Sequence, residues 1–321
     1  MRYLGFTGAV ALALTAFAGP AAAQTFPSKP LSFVVPYSAG GPYDTLTRAL
    51  TDSMRKHSPQ PLIIENKPGG NTLLGIRYVQ QAPADGYTML ISTTPINTNL
   101  LLVKDPGYRA EDFVPIAPVA KHPYILFVPA SLRVSTMDEL KAYAKSNQAR
   151  LNIGILAPGG PNQLLTDRFL KESGLTIEKI PYKGAAELAT ALLTGDIQMM
   201  FTAYSAGAPF LESGKMKAIA IAQDERSTLA PDLPTFKELG MPSVSGETWV
   251  ALFVRSGTPQ PAIKAIQDLV FAATKEQDFL TKIRPMGIEP WPITPDKIAA
   301  YIHTDAQKWE ADIKALALEP Q

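Results

Sequence analysis

Apolar and polar positions alternate along this chain with a period that switches repeatedly between strand and helix. Leu31 to Val35 is a short apolar run of the kind that forms a buried strand. From Tyr43 to Arg55 the apolar positions recur three and four residues apart, which predicts an amphipathic helix. A strand over Leu62 to Ile64, a helix over Leu73 to Gln81 and a strand over Thr88 to Ser92 complete a βαβαβ order. That order builds a parallel sheet covered by helices. The pattern then restarts, with strands predicted at Leu151 to Ile155, Ile177 to Ile180 and Ile197 to Thr202. Helices are predicted between them, at Gln163 to Glu172 and Ala186 to Thr194. Two further apolar runs, Ile125 to Val128 and Val250 to Val254, sit where the two halves would join and read as crossover strands. The last helices are predicted over Pro261 to Thr274 and Pro295 to Ala315. The expectation is therefore an α/β fold of two lobes with two parallel-core sheets. Residues 24–124 with 250–321 would form lobe 1, residues 125–249 lobe 2, and a ligand cleft would lie between them.

Residues 1–23 depart from this pattern. Arg2 is followed by a short apolar run centred on Ala9 to Phe17, a Gly19-Pro20 break, and Ala21-Ala22-Ala23. This reads as a secretory signal cleaved near Ala23, since the run is short for a membrane span of about 20 residues. Cysteine is absent, so disulfides, thiol catalysis and a lipid-anchored cysteine are excluded. A periplasmic location is expected. Loss of Arg2 would leave 29 basic and 29 acidic residues. A balanced charge argues against a nucleic-acid partner, which calls for a basic face.

The most informative feature is an internal echo. Val34-Val35-Pro36-Tyr37-Ser38-Ala39-Gly40-Gly41-Pro42-Tyr43-Asp44 and Ile153-Gly154-Ile155-Leu156-Ala157-Pro158-Gly159-Gly160-Pro161-Asn162-Gln163 both run from strand through Gly-Gly-Pro into a helix. Proline suits the first helical position, where its missing N–H costs nothing. The unpaired N–H groups of each helix start then point outward at the carboxyl ends of the strands. Backbone donors and the helix dipole together favour an anion there. Two such sockets, one per lobe, suit a small carboxylate.

The chain also resembles the receptors of tripartite tricarboxylate transporters, the Bug receptors, over essentially its whole mature length. Pro36 to Asp44 is similar to that family's P-[FY]-x-x-G-G-x-x-D. Glu65-Asn66-Lys67-Pro68-Gly69-Gly70 and Pro83-Ala84-Asp85-Gly86-Tyr87-Thr88 are similar to its next two stretches. Pro181-Tyr182-Lys183-Gly184, Gly214 to Ala218, Leu233 to Gly240 and Gly257-Thr258-Pro259 follow in the family's order. The resemblance implies a type II, two-lobed periplasmic-binding-protein fold that takes a small organic acid and delivers it to the membrane subunits of a transporter. It implies binding at Ser38, Ala39, Gly40, Gly41 and Asp44 in the first loop, and at Ala157, Gly159, Gly160 and Asn162 in the second. Tyr43, Thr202 and Tyr204 are added as lining residues. The second loop lacks the hydroxyl residues usual in the family. Phe201-Thr202 stands where Phe-Asp is usual, which removes a partner for a ligand amine and favours a plain di- or aromatic carboxylate.

An enzyme is the rival class. Ser38 lies on a strand-to-helix turn that superficially resembles a nucleophile elbow, without its first glycine. A serine nucleophile needs a base, and His57, His122 and His303 are scattered. They offer no metal-ligand spacing either. The expectation is a monomeric receptor with no catalytic residue, no metal and no cofactor. A ligand-sensing role feeding a signalling protein is the other alternative.

Overall fold

Two sheets form from the two halves of the pattern, and they share one strand. The computed structural model describes residues 26–147, 151–156, 161–182, 184–315 and 320. The expected leader at residues 1–23 and the loop residues Ala157, Gly159 and Gly160 lie outside the described residues, as does Lys183. In the first sheet β1 (Leu31–Val35) pairs in parallel with β2 (Leu62–Asn66) and β3 (Thr88–Ser92). The helices α1 (Pro42–Met54) and α2 (Leu73–Gln81) connect them. Beyond β3 come two antiparallel neighbours, giving the order β2-β1-β3-β9-β4, where β9 is Glu247–Arg255 and β4 is Phe113–Pro129.

The second sheet repeats that arrangement. β5 (Asn152–Ile155) pairs in parallel with β6 (Glu178–Pro181) and β7 (Met199–Ala203), with α5 (Pro161–Ser173) and α6 (Ala185–Thr194) between them in sequence. Its other members are again β4 and then β8 (Met216–Ile221), so the order is β6-β5-β7-β4-β8. Each sheet thus has three parallel strands flanked by antiparallel ones.

β4 is much longer than the four-residue run expected at Ile125 to Val128, because Pro115, Pro118 and Pro123 had masked it as turn sequence. Proline removes a ladder donor and is usually kept to edges and bulges. Here the strand tolerates it through register shifts against β9 at Pro115/Ala117 and Pro118/Ala120. Pro123 pairs with Glu247 on β9, while Tyr124 pairs with Ala203 on β7. The change of partner between these two neighbours is where β4 passes from one sheet to the other. β9 also exceeds its expected core, Val250 to Val254, and pairs only within the first sheet.

The helices follow their apolar stripes. On α1, Leu46, Ala49, Leu50 and Met54 recur three and four positions apart and are buried against β1. Several elements had no strong pattern in the sequence: α3 (Pro95–Leu102), α4 (Met137–Asn147), α7 (Tyr204–Glu212) and α9 (Gln277–Ile283). α8 (Gln260–Ala273), β10 (Glu289–Pro290) and α10 (Pro295–Ala315) close the first sheet's far side. No helix among the described residues is long and apolar enough to cross a membrane.

Candidate functional site

The turn from β1 into α1 is built so that its side chains hold the loop and its backbone faces outward. Ser38, Ala39 and Gly40 are exposed. The Gly41 N–H donates to the Ser38 carbonyl at 3.1 Å, which closes a tight turn. Gly40 has φ +78°, a left-handed conformation that glycine adopts without strain. Asp44 is 1% exposed, and its carboxylate accepts from the Gly40 N–H at 2.7 Å, Arg48 Nε at 2.9 Å and Asn66 Nδ2 at 2.9 Å. Asn66 also donates to the Tyr37 carbonyl at 3.1 Å, tying the turn to the end of β2. Burial alone would raise the Asp44 pKa, but the donors Arg48, Gly40 and Asn66 outweigh it and hold the group below its usual value. The carboxylate is ionised and paired with the half-exposed Arg48 guanidinium, which offsets its repulsion of an anion at the turn.

This arrangement revises two sequence-based expectations. Gly40 and Gly41 each spend their N–H on an internal bond, so neither amide is free for a ligand. Asp44 is a strut of the loop. The donors that remain in the turn are the amides of exposed Ser38 and Ala39 and those of the helix start. Gly41 is the N-cap and offers no side-chain cap, Pro42 has no N–H, and the N–H groups of Tyr43 and Asp44 precede the first intrahelical bond, Thr45 N–H to the Gly41 carbonyl at 2.9 Å.

Beside this turn stands a wall of tyrosines that the sequence did not single out as a group. Tyr37 and Tyr43 pack with ring centroids 4.3 Å apart, and Tyr37 Oη lies 2.8 Å from Thr93 Oγ1. Thr93 follows β3 and leads into α3, a second strand-to-helix turn beside the first. Burial pushes the Tyr37 hydroxyl up to about 12 and raises that of Tyr43, which also feels Tyr37 and Tyr124. Tyr124, just past the partner switch on β4, is raised by burial too. All three therefore stay neutral donors.

In the second sheet Asn162 is 2% exposed and works as the counterpart strut. Its Oδ1 accepts from the Leu156 N–H at 2.8 Å, and its Nδ2 donates to the Phe201 carbonyl. Thr202 is buried near the end of β7, and Tyr204 opens α7 half-buried. Next to it Ser205 Oγ lies 3.0 Å from His122 Nε2. Burial pushes the His122 pKa down to about 4, so the ring is neutral. The other histidines bond Glu276 and Gln307, and no hydrogen bond joins any of the three to Ser38. None of the three histidines is thus paired with Ser38.

Comparison with known proteins gives one family. "Tripartite tricarboxylate transporter family receptor" matches residues 46–318. Protein BugT of Bordetella pertussis is 29% identical over 316 residues, covering 98% of this chain and 97% of its own length. A TctC solute binding protein from Polaromonas, solved with no ligand, superposes with a TM-score of 0.80 at 27% identity, covering 91% of this chain and 100% of its own. An R. palustris protein solved with adipate superposes with a TM-score of 0.71 at 30% identity, over 92% of this chain and 100% of its own.

Proposed function

The chain belongs to the tripartite tricarboxylate transporter receptor family, whose members are periplasmic solute-binding receptors, and on that footing we propose that it captures a small dicarboxylate between its lobes. The lobes are taken as residues 24–124 with 250–321, and 125–249, a division that fits the change of partners on β4. The carrying observation is the start of α1. Backbone donors at Tyr43 and Asp44 are left over beside those of exposed Ser38 and Ala39, and the Asp44 carboxylate is already matched by its own donors. A helix start of this kind prefers an anion. Each charge-assisted hydrogen bond contributes about 1.5–3 kcal/mol net. The Gly-Gly-Pro echo supplies the second contact, through Ala157, Gly159 and Gly160 ahead of α5.

Thr202, which carries no acid, favours a ligand without an amine, and the adipate held by the R. palustris relative supports a dicarboxylate. Closure of the lobes over the ligand would expel water and strengthen each contact. The closed receptor, secreted by its leader and acting as a monomer, then passes the acid to the membrane subunits of its transporter. No bond is made or broken.

Calorimetry tests the reading with adipate, shorter dicarboxylates, benzoate and an amino acid. One equivalent of a dicarboxylate should bind near micromolar, about −8 kcal/mol, with no heat from the amino acid. Silence across all the acids would overturn it.

A further inference from the structure

The first lobe carries a second concavity far from the strand-to-helix turns in sequence and lining. It is a groove of about 520 Å³ between α8, α9 and the segment 290–295. That size lies within the range of small-molecule sites. Its origin is legible in the chain. Pro115 and Pro118 interrupt the ladder of β4 and bring two register shifts, and Ala117 and Pro118 there offer little side-chain bulk under α8. The Ile116 carbonyl is taken by Gln267 Nε2 at 2.9 Å, so the floor offers no backbone acceptor at that residue. Val270, Leu280, Trp291 and Ile293 make the lining apolar.

One cation at the rim of this groove has no carboxylate partner, and one aromatic residue of its wall carries a buried, unpaired N–H. Trp291 is 4% exposed, stacked on Trp249 at 6.2 Å and edge-on to Tyr301 at 4.7 Å, and its buried indole N–H has no hydrogen-bond partner. A buried donor without an acceptor is costly unless something supplies one. Lys275 has no carboxylate partner among the described residues, and its ammonium rests 3.6 Å from the ring centre of Phe271, which is 48% exposed. An apolar channel with an unmatched cation at its edge calls for a molecule with an apolar body and an anionic head.

We propose that this groove is a second binding site, taking a medium-chain aliphatic carboxylate with its chain on the apolar floor and its head at Lys275. It is independent of the cleft, since none of its lining residues belongs to the turns described above.

Tryptophan fluorescence of the full-length receptor, titrated with decanoate in the presence of saturating adipate, tests it. Decanoate should give a saturable signal. Lys275→Met, an exposed change that leaves packing alone, should weaken it about fivefold. Decylammonium should bind at least tenfold more weakly than decanoate. The idea is overturned by no saturable signal below about 1 mM. It is equally overturned by indifference to Lys275→Met, by equal binding of the ammonium, or by displacement with adipate, which would place the decanoate in the cleft. Adipate binding is read separately by calorimetry, so failure of one site is distinguishable from failure of the other.

Discussion

The starts of α1 and α5 are anchored by different chemistry. In the first, a buried carboxylate gathers three donors, one of them the Arg48 guanidinium. In the second, the neutral amide of Asn162 accepts from one backbone group and donates to another. Both side chains look like ligand contacts in the sequence, and both are turned into the protein. The lesson is that a polar residue beside a strand-to-helix turn can be there to anchor the turn.

Several measurements can break this contrast or sharpen it. The largest effect should come from Asp44→Ala, which strands Gly40, Arg48 and Asn66 donors together and should cost about 2–3 kcal/mol in denaturant unfolding, with loss of adipate binding. Asn162→Ala removes a neutral strut and should cost about 1–2 kcal/mol; a cost as large as that of Asp44→Ala would erase the distinction. Gly40→Ala should cost about 1 kcal/mol, because a Cβ there meets open space and only the φ of +78° resists it. Smallest is the effect of pH. The Asp44 pKa is depressed below 3.8 in the folded state, so its contribution is complete above that value and disappears as pH falls through the folded pKa. The stability gap between the wild type and Asp44→Asn should therefore close below pH 3.8, while the deficit of Asn162→Ala stays constant.

Much of the fold was legible because apolar runs and amphipathic stripes report burial directly. β1, β3, α1 and α10 fall within a residue or two of expectation. The strand order follows from the same pattern occurring twice. β4 was not fully legible, since Pro115, Pro118 and Pro123 carry a turn signal that only tertiary pairing overrides. α3 hid because its apolar positions show almost no helical bias, with Asn97 and Asn99 buried among them. At the site, the sequence located the turn but not the direction of its groups. Whether Asp44 faces a ligand or Asn66 depends on residues 22 positions apart, a spacing that no local pattern encodes. The tyrosine wall was missed for the same reason, as Tyr37, Thr93 and Tyr124 come from three separate segments. A run of aromatic residues at strand ends was the available clue.

One consequence of the shared 17-residue strand concerns how the protein could be divided. β4 sits in both ladders, so a cut at its partner switch would leave each fragment with a torn sheet and a raw edge. Neither half is therefore a module that could be excised, shuffled to another gene or expressed alone.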